Sequence, residues 1–185
     1  MAFIEPVADE QAAELGTLTN YTRALGHRPQ VFEAWLALNG SIKESMDLRR
    51  YELATLAAAT RLRSSYCALA HGSVLVDKFY DAATVRDIVL DRNAAELDKA
   101  DMAVMDLAEK LVADATSIAR EDVERLRAHG LDDGEIVSVA LAAAARCFFS
   151  KALDALGVEP DAAYADLDPK LRDVLVVGRP IARAD

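Results

Sequence analysis

Glu52, Cys67 and His71 put an acid, a thiol and an imidazole within one short stretch, a set able to move protons on and off a sulfur. A thiol reacts as its thiolate, and an ordinary cysteine with a pKa of about 8.5 is mostly protonated at neutral pH. If Ser64 or Ser65 caps the helix that carries it, Cys67 falls in the first turn. There the helix dipole and the unpaired N–H groups favour an anion by about 0.3–1 kcal/mol. His71, four residues on, shares the same helical face and is placed to exchange a proton with the sulfur. Glu52 orients or deprotonates the imidazole if the two helices pack antiparallel. The three then act as nucleophile, base and orienting acid.

Each residue taken alone has a plainer reading. Free cysteine is among the most buried residue types, so Cys67 suits core packing equally well. His71 beside Gly72 suits an exposed position, and Glu52 suits an acid early in a helix. Glu52, however, stands among Leu48, Tyr51, Leu53 and Leu56, where a charge is costly unless paired. Position 49 is Arg, so Glu52 has no capping partner three residues before it. The joint spacing favours chemistry.

Two helices must carry these side chains. Asp47 is a good N-cap for an apolar helix running to about Arg63. A break at Ser64–Ser65 opens a second helix that continues to about Tyr80. Upstream, residues 1–8 read as an extended lead-in, and residues 9–25 as one helix stopped by Gly26. Pro29 suits the first position of the next helix, whose Val31, Trp35, Leu38 and Ile42 recur at helical spacing. Downstream, residues 84–91 form a short helix and 91–101 (DRNAAELDKAD) a charged connector or hinge. Residues 101–114 and 120–129 read as helices, the second closed by Gly130. The last long helix spans about 132–156 and ends at Gly157, with Asp132 and Glu135 spaced as a capping box. In the tail, apolar residues 171–177 read as an arm packing on a neighbour or on its own subunit.

Composition supports an all-α bundle. The 185 residues are 52% apolar with 6% aromatics, and alanine supplies much of the apolar content. Alanine is the best helix former and lets helix axes approach, while few stretches alternate as strands do. Residues 1–185 read as one domain, long enough to bury roughly 70% of its unfolded surface. The net charge of −10, from 31 acids against 21 scattered bases, suits neither nucleic acid nor a phosphate backbone. No signal peptide and no unbroken apolar run of about 18 residues is evident. The expectation is a cytoplasmic protein, with no membrane partner. Two cysteines there are reactive or buried rather than a structural disulfide. Nothing in the sequence calls for a cofactor or a metal.

The sequence echoes itself at an offset of 83. Leu131 falls on Leu48, Glu135 on Glu52, Arg146 on Arg63, Cys147 on Ser64, Ser150 on Cys67 and Asp154 on His71. A repeated helix pair and a coincidence of Ala-rich sequence both account for it. If the repeat is genuine, only the first copy keeps thiol and imidazole together.

The order Glu52, eleven residues, Ser64, two residues, Cys67, three residues, His71 resembles the AhpD-like alkylhydroperoxidase / carboxymuconolactone decarboxylase family, whose redox pattern is Glu-x11-Cys-x2-Cys-x3-His. The lead-in MDLRRYEL, the segment YCALAH and the later stretch from Gly130 to Ala162 are similar to its peroxidase-related branch. The likeness covers about residues 20–165, leaving 166–185 as a C-terminal arm.

The resemblance implies an all-helical AhpD-like bundle, tight homo-oligomers (trimer, hexamer or dimer) and thiol-dependent reduction of hydroperoxides. It makes Cys67 the second motif cysteine, Glu52 the proton-relay acid and His71 the motif histidine. Tyr66 takes a position where alkylhydroperoxidases can carry another histidine. Ser64 replaces the first motif cysteine, so no Cys-x-x-Cys disulfide forms. The expected activity is therefore a one-cysteine peroxidase whose sulfenate is resolved by an external thiol reductant, or less simply by Cys147. Ser64 is expected as an N-cap or as a hydrogen-bond donor to the sulfur. Two other readings stay open: a decarboxylase or lactone-type acid–base enzyme using Glu52 and His71, and a non-catalytic oligomeric redox sensor.

Overall fold

A computed structural model describes residues 2–93, 95 and 97–184, and among them there is no strand. Ten α-helices follow in order: α1 (Asp9–Glu14), α2 (Asn20–Leu25), α3 (Pro29–Glu44), α4 (Leu48–Leu62), α5 (Ser65–Lys78), α6 (Ala82–Leu90), α7 (Lys99–Asp114), α8 (Arg120–Ala128), α9 (Asp133–Ala155) and α10 (Pro169–Leu175). Short 3₁₀ turns at Ala115–Ser117 and Ala162–Asp166 connect them. Ala94 and Glu96, within the anticipated 91–101 connector, lie outside the described residues.

The core is built around α4. Every residue from Tyr51 to Ala59 is buried, as expected of a helix that is covered on all sides. Four alanines in this run (Ala54, Ala57, Ala58 and Ala59) let α5, α7 and α9 approach it closely. Side-chain caps fix where these helices start. Asp47 Oδ1 accepts from Arg50 N at 3.0 Å, and Asp132 and Glu135 exchange bonds of 2.8 and 2.9 Å as a capping box at the head of α9.

The anticipated helix over 9–25 is two helices. Gly16 takes a φ of 108°, a backbone that continues no helix. Thr19 then restarts the chain by accepting from Thr22 N at 3.3 Å. On α3, Trp35 and Ile42 are buried as the spacing required, but Val31 and Leu38 are exposed and Phe32 faces the core instead.

α9 is long and apolar enough to cross a membrane by length and composition, although Arg146 interrupts its apolar run. More than half of its most apolar window is buried inside the protein, which is the placement of a core helix.

The tail packs on its own chain. Leu171 and Leu175 of α10 are buried, and Leu175 sits where a Cβ on Gly72 would come within 2.7 Å. Beyond α10 the chain returns to the α4–α5 junction. Gly178 N donates to Ser65 Oγ at 2.8 Å, and Arg63 Nε donates to Val177 O at 3.2 Å. Arg63 ends α4 with a φ of 58°, a left-handed conformation costing about 1–2 kcal/mol for a residue with a Cβ. This separates the two halves of the sequence echo, since α9 runs unbroken through Arg146.

Candidate active site

The αL residue at Arg63 turns the chain so that α5 packs back along α4. Ser64 takes the N-cap position, φ −96° and ψ 97°, but its side chain makes no capping bond. Cys67 therefore sits in the first turn of α5, and His71 follows one turn later on the same face. Asp47 sets the register of α4 so that Glu52 points toward them.

Glu52 is 1% exposed, and both of its oxygens are engaged. Oε2 lies 2.6 Å from His71 Nδ1, and Oε1 lies 3.3 Å from Lys43 Nζ of α3. On the other side of the ring, Arg146 Nη1 stands 3.2 Å from His71 Nε2. An arginine can only donate, so Nε2 accepts and the ring proton belongs on Nδ1, facing the carboxylate. The imidazole is neutral in this network.

The titration tendencies agree with that assignment. Burial is the largest influence on Glu52 and pushes its pKa up. The hydrogen bond from His71, and the ring's charge once acid has protonated it, outweigh burial together with Lys43, so the carboxyl is held below its ordinary range. For His71 burial pushes the pKa down, Glu52 works against it and the Arg146 cation adds to it, leaving the imidazole below its ordinary value.

Cys67 is 2% exposed, and its surroundings are polar. Ser150 Oγ donates to Sγ at 3.1 Å, and Arg146 Nη1 lies 4.0 Å away. The other Arg146 amino group donates to Asn39 Oδ1 at 2.6 Å, and Tyr51 Oη donates to the same oxygen at 2.9 Å. The guanidinium lies over Trp35 and Phe149, at 5.0 and 5.4 Å from the ring centroids. Those two rings stack at 4.8 Å. One guanidinium thus links imidazole, sulfur, amide and aromatic pair.

Several expectations need correction here. Glu52 and His71 do pair, but no hydrogen bond joins His71 to Cys67. Arg146 stands between them, closer to the imidazole than to the sulfur. Ser64 is fully buried at the N-cap position and is not bonded to the sulfur; Ser150 is the donor instead. Tyr66 is buried, and its hydroxyl donates to Asp161. Burial first, and then that bond, raise the phenol well above its ordinary pKa. Cys147 is half-buried and free, and among the described residues it joins no part of this network.

Arg146, Asn39, Ser150 and Lys43 were not singled out from sequence. Two signals were available. Arg146 is a lone cation in an Ala-rich apolar helix, where a charge needs partners. The offset of 83 had also aligned Ser150 with Cys67, and these two side chains touch. Asp154, the echo of His71, instead faces Arg179 Nε at 3.8 Å.

No protein-family model matches the sequence, and no curated protein matches it. Solved structures do. A peroxidase-related protein from Silicibacter sp. TM1040 superposes with a TM-score of 0.75 at 21% identity, over 88% of this chain and 91% of that one. A protein described as an alkylhydroperoxidase AhpD core, from Ralstonia eutropha JMP134, gives 0.72 at 20% identity, over 92% and 87%. The debrominase Bmp8 gives 0.79 at 14% identity, over 94% and 97%. At these identities the likeness is one of fold, and the chain has the all-α AhpD-like fold that these three proteins share.

Proposed function

We propose that this protein is a thiol-dependent peroxidase that reduces hydroperoxides through Cys67 alone. The observation that carries the reading is the placement of Cys67 Sγ between Ser150 and Arg146, with Arg146 tied to the Glu52–His71 pair. His71 Nε2 is the proton acceptor for the thiol. The transfer needs the Arg146 contact to shift or one water to bridge the gap, and Glu52 stabilises the imidazolium that results. The thiolate attacks the terminal oxygen of the hydroperoxide. An S–O bond forms as the O–O bond breaks, and the leaving alkoxide takes its proton from His71. Sulfur is oxidised to a sulfenic acid and the peroxide is reduced to an alcohol, or to water from hydrogen peroxide.

Because Ser64 stands in place of the first motif cysteine, the reductive half falls to an external thiol in this reading. One equivalent displaces water from the sulfenic acid to give a mixed disulfide, and a second frees Cys67. Titration with a hydroperoxide should trap about one sulfenic acid per chain, on Cys67. Equal peroxide consumption by a Cys67→Ser variant removes the proposal, and activity surviving thiol alkylation moves the chemistry to Glu52 and His71.

A second reading keeps the nucleophile and changes the bond attacked. The debrominase of the same fold and the flat Trp35–Phe149 pair beside Arg146 favour it. The thiolate takes bromine from an aryl bromide, forming S–Br as C–Br breaks, and the carbanion is protonated from His71. An external thiol then displaces bromide to give a mixed disulfide, and a second thiol frees Cys67. Bromide release from a bromopyrrole under excess thiol distinguishes the two.

A further inference from the structure

α9 has two apolar faces, and its own fold covers only one of them. Ile136, Val139, Ala143 and Leu153 are buried, whereas Asp133, Val137, Leu141, Ala144, Phe148 and Lys151 are exposed. These six follow one another at steps of four, four, three, four and three residues, so they share a stripe about 80° wide. Val137, Leu141 and Phe148 are 56%, 48% and 55% exposed. No charge interrupts the stripe between its two ends. α3 widens this patch. It runs antiparallel beside α9: Ser45 Oγ lies 2.8 Å from Ser138 Oγ at one end, and the Trp35 and Phe148 rings lie 5.4 Å apart toward the other. Val31 and Leu38, two turns apart on α3, are 55% and 53% exposed. The five large side chains together offer on the order of 450 Å² of apolar surface, a size that on a soluble chain usually marks a contact.

The stripe on α9 is complementary to its own inverse. Asp133 and Lys151, Val137 and Phe148, and Leu141 and Ala144 form pairs centred on Ala142–Ala143. A two-fold axis at that point, perpendicular to α9, lays a second α9 antiparallel on the first. Each large side chain then meets a smaller one, Phe148 on Val137 and Leu141 on Ala144, as interdigitating layers require. Each Lys151 meets an Asp133. Lys151 has no ion-pair partner among the described residues, and Asp133 takes its two hydrogen bonds from Arg127 on Oδ1. A parallel pairing would instead set Lys151 on Lys151 and Phe148 on Phe148. Two such patches face to face bury roughly 900 Å², and the charged ends carry the total past the ~1,000 Å² that a specific interface needs.

We propose that this protein assembles through α9, the exposed stripe of one copy lying antiparallel on the same stripe of a second copy across a two-fold axis. The occupant is a second copy because the stripe matches its own inverse in both size and charge. The contact also reaches the candidate site. Phe148 packs on Trp35, and Trp35 and Phe149 carry Arg146, 4.0 Å from the sulfur. Val137 of the second copy therefore backs that ring layer from outside. The inference stands apart from the peroxidase reading and holds whichever bond Cys67 attacks.

Light scattering on the full chain after size exclusion should give an even multiple of the chain mass. Leu141→Asp, at an exposed position, should halve that mass while its circular dichroism stays helical. Lys151→Glu sets acid against acid and should raise the dissociation constant by about tenfold, because the two-fold makes the contact twice. Adding Asp133→Lys to the same chain should bring the affinity back, which only an antiparallel register explains. Should Leu141→Asp fail to fold, this charge pair decides the matter. A monomer or a trimer overturns the proposal. So does a Leu141→Asp protein that keeps the parent mass, which places the contact on another face. A Lys151→Glu protein with the parent affinity, or one that Asp133→Lys does not rescue, overturns the antiparallel pairing.

Discussion

Ser150 Oγ lies 3.1 Å from Cys67 Sγ, although the two residues are 83 positions apart on different helices. The contact crosses from α9 to α5 and delivers a hydroxyl proton to a sulfur that is otherwise sealed from solvent. It also coincides with the offset at which the chain echoes itself, so the two halves of the echo meet face to face at the candidate nucleophile.

That geometry makes position 150 the natural place for an engineered resolving thiol. Ser150→Cys should trap the oxidised sulfur as a disulfide between positions 67 and 150, because a 3.1 Å Oγ–Sγ approach in the parent chain needs only a small shift to reach bonding distance. Peroxide treatment should then remove two hydrogens from the intact mass and leave no trappable sulfenic acid. Ser150→Ala, which deletes the donor, should slow sulfenic acid formation by roughly three- to tenfold, the equivalent of one hydrogen bond of about 1 kcal/mol. A Ser150→Ala protein oxidised at the wild-type rate would show the hydroxyl to be packing only.

Arg146 is the residue on which the network converges. Arg146→Met keeps an apolar stem beside Trp35 and removes the charge, at a cost of about 1–3 kcal/mol for the acceptor left unpaired on His71. The reaction rate should fall at least tenfold, since the developing charge loses its cation. The His71 pKa should rise, because one of the influences holding it down is gone while Glu52 remains. NMR titration of the His71 ring reads this directly, and an unchanged His71 titration would contradict the assigned contact.

Most of the framework is legible in the residues that start and stop helices. Asp47 and Asp132 cap the helices they precede as anticipated, and Gly130 and Gly157 end others with positive φ; Asp81 and Asp98 cap α6 and α7, which start at Ala82 and Lys99 rather than at the anticipated 84 and 101. These are local effects, fixed within one turn of chain. Gly16 was equally local, yet it stood inside an apparently continuous helical pattern, so the break between α1 and α2 went unseen. The Glu52–His71 pair was legible because both ends fall in one helix–turn–helix. The Arg146 contacts were not, because they depend on how α9 is rotated and slid against α3 and α5. No spacing along the chain encodes that. The exposure of Val31 and Leu38 has the same origin: helical period identifies a face, and packing decides whether Phe32 or Val31 is covered.

Acid should destabilise the protein in two stages. The His71 pKa is below its ordinary 6.5 in the folded state, so the unfolded chain binds more protons as pH falls through that value, and stability falls with it. The Glu52 pKa is below its ordinary 4.5, so its contribution is present above that value and is lost as pH drops through the lower folded value. Thermal unfolding followed from about pH 8 to about pH 3 should show Tm falling in both windows. His71→Gln should remove the upper part and weaken the lower, because His71 also helps hold the Glu52 carboxyl down. A Tm that stays level between about pH 7 and about pH 5 would contradict the neutral, buried imidazole.

Ser64 occupies the N-cap position, fully buried, three residues before Cys67. Ser64→Cys restores the Cys-x-x-Cys spacing that the sequence otherwise resembles. Its two thiols should close to a disulfide on peroxide treatment, and a dithiol reductant should then support turnover better than a monothiol. Two free thiols persisting in the peroxide-treated variant would show that the α5 N-terminus holds positions 64 and 67 too far apart to bridge.

The C-terminal segment holds that helix start in place. Gly178 packs so closely on the α4–α5 junction that a Cβ there would collide with Arg63 O. The obstacle is backbone and cannot rotate away. Gly178→Ala should therefore push the segment off Arg63 and Ser65, breaking the Gly178 N–Ser65 Oγ bond. The expected loss is about 1–3 kcal/mol, the range for overpacking a fitted site. Because the displaced segment covers the first turn of α5, the same variant should expose the Cys67 end of that helix. Amide exchange at residues 65–67 should quicken while exchange in the middle of α4 stays slow. Uniformly faster exchange throughout the chain would mean that Gly178 supports the whole fold rather than this helix start.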